Sequence, residues 1–145
     1  MECIYGLFFD KFDIPEIEKL VPNKIPVSNL LIIGNLDLDP GEEKFLKKHS
    51  ILILNRNDGL RLFQEFVNKF SHLHISFDID SMDKTIAPST GIPADDGLLF
   101  EDIKPILEII SKHPSFSFDL CEVNPKKAGA EKTVLLAQRI LRTIL

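Results

Sequence analysis

The sequence predicts an α/β protein, a three-layer αβα sandwich with a mostly parallel sheet of about five strands. The first observation is a set of five short apolar runs, each bounded by turn or cap residues. The second is that segments with helical periodicity lie between them, so strand and helix signals alternate along the chain. The predicted strands are residues 3–9, 30–34, 51–54, 72–80 and 116–123.

The first two helices are predicted from their start signals and apolar periodicity. Asp39-Pro40-Gly41-Glu42 places an N-cap residue before a proline and an acid three residues after the cap. Phe45 and Leu46 follow as the predicted buried face. Asp58 is the predicted cap of the second helix, whose apolar residues repeat at intervals of three and four. They are Leu60, Phe63, Phe66, Val67 and Phe70.

The third helix is predicted over about residues 102–112, with Pro105 in its first turn, where the missing N–H is tolerated. The fourth covers about residues 130–145. Four of its apolar residues share one stripe, which predicts the buried face. They are Val134, Ala137, Leu141 and Ile144.

Length and charge limit the class of protein. The 145 residues predict a single domain, 1–145. The net charge of −5 disfavours a surface that binds phosphate throughout, and leaves direct nucleic-acid contact to local patches such as Lys126 and Lys127. The chain has neither a signal peptide nor an apolar run of the roughly 20 residues that a membrane span needs, so we expect a cytoplasmic protein without membrane contact. Cys3 and Cys121 lie in apolar runs and predict reduced, buried thiols.

A pair of aspartates follows the fourth apolar run. Because side chains alternate along residues 72–80, Asp78 and Asp80 are predicted to project on the same side at the end of a parallel strand. Open α/β sheets bind ligands at that edge. Two carboxylates at this spacing suit Mg²⁺ or Mn²⁺. The alternative is that they hydrogen-bond to and anchor the following loop, residues 85–93.

Three stretches, in order, resemble the arginase, agmatinase and formiminoglutamase family, the ureohydrolases, and are most similar to arginases. SFDIDSMDKTIAPSTGIPADDGL resembles a strand and loop of the family, and LLIIGNLDLDPGEEKFLKKHSI resembles the strand and helix upstream. FDLCEVNP resembles the last strand with its ending Glu122-Val123-Asn124-Pro125. The resemblance covers about residues 30–145 and implies a truncated arginase-like fold.

The resemblance also implies a chemistry. Family members hold two Mn²⁺ ions that share a hydroxide, which attacks the guanidinium carbon of arginine. By motif position Asp78 and Asp80 would be metal ligands, and Glu122 would contact the guanidinium group.

The sequence departs from the family at other ligand positions. It contains no Gly-Gly-Asp-His motif, and none of its four histidines matches a family position. Residues 7–14 align without a gap to the family's Asp-Ala-His-x-Asp strand, so that Phe9 and Lys11 replace the first aspartate and the histidine, while Asp13 is retained. The ammonium of Lys11 would then supply positive charge where the family holds a metal. In the loop, Lys84 replaces a usual proline and Asp96 a usual glycine.

These departures predict a non-catalytic, degenerate arginase-like protein that needs no cofactor and acts as a binding or structural subunit of a larger assembly. That assembly would be a protein complex or a ribonucleoprotein such as a ribosome. The alternative is a ureohydrolase fragment with residual or complemented manganese-dependent hydrolysis of a guanidino substrate such as arginine. A third interpretation is an unrelated α/β protein with a chance match.

The sheet order of the family implies that the five strands are contiguous here. Their order would be 116–123, 72–80, 3–9, 30–34 and 51–54. The strand that begins at Phe116 would form a new edge, and exposed edges promote aggregation unless something covers them. We therefore expect a protein or ribonucleoprotein partner over the edge at residues 116–123.

Overall fold

A computed structural model describes Lys19 and residues 25–34, 40–56 and 59–145 of the chain. The chain divides into two compact units, Met1–Ile53 and Leu54–Leu145. Within the described ranges no helix is both long enough and apolar enough to cross a membrane.

The described part of the first unit contains a short 3-10 turn, Val27–Asn29, strand β1 (Leu31–Ile33) and helix α1 (Pro40–His49). Strand β2 (Leu52–Leu54) follows and forms a two-stranded sheet with β1. Pro40 is the first residue of α1, as its fixed φ angle and missing N–H predict. Leu46 is buried and Phe45 half-buried, so the predicted face of this helix is correct. Asp39, its predicted cap, lies outside the described residues.

The second unit contains three further helices and a parallel strand pair. Its elements are α2 (Leu60–Val67), β3 (Leu73–Asp78), α3 (Phe100–Ser111), β4 (Phe116–Cys121) and α4 (Ala130–Ile144). A 3-10 turn, Ile79–Ser81, directly follows β3. Helix α3 packs against both α2 and α4, and their apolar side chains form the core.

Strands β3 and β4 run parallel, with Leu73 opposite Phe116 and Asp78 opposite Cys121. Burial alternates along β4, where every second side chain is exposed, as expected of a strand with one face toward a core. The predicted α/β class and parallel pairing are therefore confirmed.

The described residues form two two-stranded sheets, β1–β2 and β3–β4, rather than the single sheet of about five strands that the sequence predicts. Both observed pairs are neighbours in the predicted order. The predicted strand at residues 3–9 falls outside the described residues. Each observed strand is also shorter than predicted.

Helix α2 begins after Gly59, and its buried residues are Phe63, Phe66 and Val67, as predicted. Leu60 is 41% exposed, so the prediction that it belongs to the core is wrong. It is the first residue of the helix. Phe70 is half-buried and contacts the ring of Phe66. The predicted cap, Asp58, lies outside the described residues.

Helix α3 begins at Phe100 rather than near residue 102. The Asp102 side chain accepts a hydrogen bond from the backbone N–H of Leu99 at 2.7 Å, so this acid stabilises the first turn from inside the helix. Pro105 consequently lies beyond the first turn, contrary to prediction. Because Pro105 has no backbone N–H, it cannot donate the helical hydrogen bond to the carbonyl of Glu101 that another residue would form.

Helix α4 is rotated relative to its predicted orientation. Val134 and Leu141 were expected in the core but are 36% and 37% exposed. The hydroxyl of Thr133 accepts a hydrogen bond from the N–H of Ser89, and this contact turns a polar residue inward. The guanidinium of Arg139 lies 3.5 Å from the centroid of the Phe100 ring and ties α4 to α3. The buried residues of α4 are Thr133, Leu136, Ala137, Ile140 and Ile144.

The orientation of α4 can be tested with two alanine substitutions on the same helix. Ile140 is fully buried and Leu135 is 58% exposed. Ile140→Ala should lower the free energy of unfolding by about 2–4 kcal/mol, since it leaves a cavity in the core. Leu135→Ala should change it by less than about 0.5 kcal/mol. Urea unfolding followed by circular dichroism measures both, and equal losses would contradict the assigned face.

Candidate functional site

The candidate site lies where β3 and β4 end. Asp78 is the last residue of β3 and is in register with Cys121, the last residue of β4. Glu122 follows Cys121 directly. Because parallel strands end at the same edge of a sheet, their register brings these acids together at the carboxyl edge, where open α/β sheets bind ligands.

Asp80 reaches the site by a different route from the one predicted. The strand ends at Asp78, and Asp80 lies in the 3-10 turn that follows, so strand alternation does not position it. The Asp78 side chain caps this turn by accepting the N–H of Asp80 at 3.1 Å. Ile79 is fully buried and fixes the turn against the core. The two carboxyl groups are still close enough to interact, because Asp78 contributes to the raised pKa of Asp80.

The acid cluster makes the site strongly negative. Burial, together with the hydrogen bond to Asp78 and the charges of Asp78 and Glu122, raises the pKa of Asp80 from 3.8 to about 7. Burial, followed by the surrounding acids, also raises the pKa of the Cys121 thiol. Cys121 is exposed rather than buried, so that prediction is wrong, and its reduced state is as expected. Cys3 lies outside the described residues.

Glu122 has a strained backbone. Its φ angle is +64°, in the left-handed region that side chains other than glycine rarely adopt. A Cβ atom on Gly91 would lie only 2.8 Å from Glu122 Oε2, so the absence of a side chain at position 91 makes room for this carboxylate. Strain of this kind is common at functional sites.

The loop at residues 82–98 is held by groups other than the site acids. The N–H of Asp83 donates to the carbonyl of Leu98, and the N–H of Leu98 donates to that of Ser81. Lys127 Nζ donates to the carbonyl of Gly91 at 2.8 Å. Asp78 and Asp80 make none of the hydrogen bonds that hold residues 85–93 among the described residues. The alternative in which they anchor this loop is therefore wrong.

Ser89 connects the loop to α4 and to the segment after β4. Its N–H donates to Thr133 Oγ1 at 2.9 Å, and its hydroxyl donates to the carbonyl of Asn124 at 2.5 Å. Thr90, next to it, is fully buried, and its hydroxyl has no hydrogen-bond partner in the described part of the chain. Sequence reasoning missed both residues, because Ser and Thr in a Pro-rich loop carry no signal beyond that of a turn.

Two departures from the family motif have local explanations. The φ angle of Asp96 is +56°, which is why a glycine suits this position. Lys84 forms an ion pair with Asp95. Arg56, which sequence reasoning also missed, lies 3.1 Å from Asp102 and 3.4 Å from Asp96, so it connects this part of the loop to α3.

A manganese pair is not accommodated by the described residues alone. The site offers the oxygens of Asp78, Asp80 and Glu122, but residues 25–34, 40–56 and 59–145 contain no group of three His, Cys, Asp or Glu side chains arranged to hold a metal ion. The predicted positions Asp13 and Lys11 lie outside the described residues. His74 is not at the site: it lies on the exposed face of β3, with Nδ1 2.8 Å from Ser117 Oγ.

These elements define an α/β protein with a carboxylate cluster at the carboxyl edge of a parallel strand pair. Comparison with known proteins gives the family. The Arginase family model matches residues 12–145, so the chain belongs to the arginase family. This confirms the resemblance carried by the three motifs and excludes a chance match.

Individual relatives agree. The chain is 35% identical over 130 residues to the arginase of Schizosaccharomyces pombe, which covers 80% of this chain and 40% of that protein. It is 32% identical over 134 residues to the arginase of Emericella nidulans, covering 85% of this chain and 41% of that protein. The chain therefore spans about two fifths of the length of these curated relatives.

Solved structures show the same fold. The arginase of Entamoeba histolytica in complex with L-ornithine matches with a TM-score of 0.79 and 25% identity over 88% of this chain and 46% of that one. The arginase of Bacillus caldovelox matches with a TM-score of 0.76 and 25% identity over 92% of this chain and 48% of that one. The predicted arginase-like fold is confirmed.

The raised pKa of Asp80 predicts a pH dependence of stability. Between about pH 4 and pH 7 the folded chain binds a proton at Asp80 that the unfolded chain has lost. The contribution of Asp80 to the free energy of unfolding therefore falls as pH rises through this range and stays low above it. Asp80→Asn should remove this slope and stabilise the chain at pH 8 by on the order of 1 kcal/mol, allowing for solvent screening.

Urea unfolding of the original chain and the Asp80→Asn variant at pH 5 and pH 8 measures this difference. Glu108→Gln, which neutralises an exposed carboxyl group on α3, is the matched control and should give the original slope. An Asp80→Asn variant with an unchanged difference between pH 5 and pH 8 would contradict the assignment.

The strain at Glu122 can be measured at the same position with glycine and alanine. At an ordinary position a glycine variant is less stable than an alanine variant, but at a φ angle of +64° this order should reverse. Glu122→Gly should be about 1 kcal/mol more stable than Glu122→Ala, because only alanine retains the Cβ clash. Thermal unfolding of the two variants compares them, and a more stable alanine variant would disprove the strain.

Proposed function

We propose that this chain is a non-catalytic arginase-family protein that acts as a binding or structural subunit of a larger assembly, either a protein complex or a ribonucleoprotein. One observation carries the proposal: Asp78, at a metal-ligand position, accepts a hydrogen bond from the N–H of Asp80, and the described residues contain no group of three side chains arranged to hold a metal ion. Hydrolysis by a metal-bound hydroxide needs several ligands that fix both the metal and the water.

The sequence supports the same conclusion at Lys11. In the alignment to the family strand, this lysine replaces a histidine ligand. The resemblance implies that its ammonium supplies positive charge to the acids at the family's metal-ligand positions, Asp13, Asp78 and Asp80, and so offsets their mutual repulsion. The same positive charge would repel Mn²⁺. The cluster would then be neutralised by the chain itself rather than by metal.

The subunit role is supported by the edge of β4. The strand pairs with β3 on one side, and no strand pairs with its other side in the part of the chain that the structure describes. Open edges of this length are usually covered in native proteins, since their free N–H and carbonyl groups pair with other chains. A partner over residues 116–123 would satisfy these groups.

The second candidate function is a ureohydrolase fragment completed by another chain. The observation that favours it is the position of the three acids: Asp78, Asp80 and Glu122 all lie at the carboxyl edge of β3 and β4. When bound, Mn²⁺ would activate water and orient a guanidino substrate such as arginine. The missing ligands would then come from residues outside the described ranges or from a second protein.

A metal and activity assay separates the two functions. The purified full chain, incubated with Mn²⁺ and arginine, should retain less than stoichiometric manganese after desalting and release no urea above background. Elemental analysis and a colorimetric urea assay measure these quantities, with a family arginase as the positive control. Stoichiometric manganese together with urea release would disprove the non-catalytic function.

The Lys11→His variant tests whether Lys11 neutralises the acid cluster. If Lys11 compensates the acids, the variant should bind Mn²⁺ only weakly and should lose stability. Tight binding measured by calorimetry would instead show that the remaining ligands are correctly placed.

Sedimentation of gentle lysate, with mass spectrometry of co-migrating proteins, tests the subunit role directly, because a subunit should travel inside a larger complex.

A further inference from the structure

We propose that the partner over β4 is a second copy of this chain, paired antiparallel to form a four-stranded sheet across a two-fold axis. The inference rests on the proposed function, because it names the partner that the open edge requires. Three observations carry it: which backbone groups point outward, the spacing of polar and apolar side chains, and the position of the single charge.

The outward-facing backbone groups follow from the pairing with β3. The N–H of Leu73 donates to the carbonyl of Ser115, so the backbone of Ser115 is directed toward β3. Alternation along the strand then directs Ser117 and Asp119 toward β3 as well. The N–H and carbonyl groups of Phe116, Phe118 and Leu120 are therefore the ones at the open edge.

One antiparallel register pairs all three outward residues. With Phe118 on the two-fold axis, Phe118 faces Phe118 of the second copy and Phe116 faces Leu120. Every outward residue then faces another outward residue, so each pair exchanges two backbone hydrogen bonds. No proline interrupts residues 116–121, and none of them is a lysine, so the strand lacks two common features that block pairing at an edge.

The side chains are self-complementary in this register. Phe116, Phe118 and Leu120 are half-buried on one face, and the Phe118 ring is stacked on Phe77 with a centroid distance of 6.0 Å. Pairing would extend this contact into a row of four aromatic rings across the axis. Aromatic pairs directly opposite each other stabilise antiparallel sheets.

The charged residue selects the same register. Asp119 is the single charged residue of β4, and it would face Ser117 of the second copy, whose hydroxyl can donate to its carboxylate. These two positions form a pair without backbone hydrogen bonds, where side chains approach most closely. Moving the axis to Asp119 would place two carboxylates opposite each other, and moving it to Ser117 would place Leu120 opposite Pro114. Of these three axes, the one at Phe118 avoids both pairings.

Position 117 therefore offers a matched pair of charge variants. Ser117 is exposed in the single chain and its side chain bonds to His74, so both substitutions replace the same hydroxyl group. Ser117→Asp would place a carboxylate opposite Asp119 of the second copy at two symmetric sites, and Ser117→Lys would place an ammonium there. The first should weaken the dimer about tenfold and the second should strengthen it about tenfold.

Sedimentation velocity across a dilution series of the full chain gives the dissociation constant of each variant, and circular dichroism confirms that each is folded. The expected result is a dimer whose two variants shift in opposite directions, with the difference shrinking at high salt. A monomer at every concentration, or equal shifts in both variants, would overturn the proposal.

A different protein bound at this edge in lysate would also overturn the second-copy proposal while leaving the subunit function intact. Manganese-dependent urea release would overturn the subunit function without changing the dimer measurement. The two failures are therefore distinguishable.

Discussion

The parallel pairing of β3 and β4 is the constraint on which the second unit depends. Its register places the last residues of both strands, Asp78 and Cys121, side by side, and the chain continues from there into Asp80 and Glu122. The same pairing occupies one side of β4 and leaves the other side open among the described residues. The acid site and the open edge thus follow from one set of backbone hydrogen bonds.

The loop after β3 is fixed by buried polar contacts within the chain. Ser89 is fully buried, and its N–H and hydroxyl both have partners, on α4 and on the segment after β4. Leaving such groups unpaired in the core would cost about 1–3 kcal/mol each. Gly97 contributes sterically, because a Cβ atom there would lie 2.5 Å from the backbone of Asp83. Since these contacts are internal, the loop does not rely on Asp78 or Asp80 for its position.

Sequence patterns predicted the elements better than their ends and faces. The apolar runs located β3 and β4, and the motifs located Asp78 and Glu122, because both signals are carried by consecutive residues. The predicted buried face of α4 was wrong because apolar residues spaced three and four apart fit two adjacent stripes of this helix. Which stripe is buried depends on a hydrogen bond between Thr133 and Ser89, two residues that are distant in sequence. The turn at Asp80 was missed for a related reason: the side chain of Asp78 caps it, which an alternating pattern cannot show.

The energetics of the acid cluster argue against a purely architectural role. Asp80 has a pKa of about 7 because its charged form is disfavoured there, and Glu122 adopts a backbone conformation that costs energy for any residue except glycine. Neither acid makes a hydrogen bond that holds the loop among the described residues. Asp80 lowers the repulsion among these carboxylates by keeping its proton, and a positive group nearby, whether an ammonium of this chain or a cation from outside, would lower it further. The identity of that positive group, rather than the presence of the acids, is what separates a neutralised binding subunit from a hydrolase.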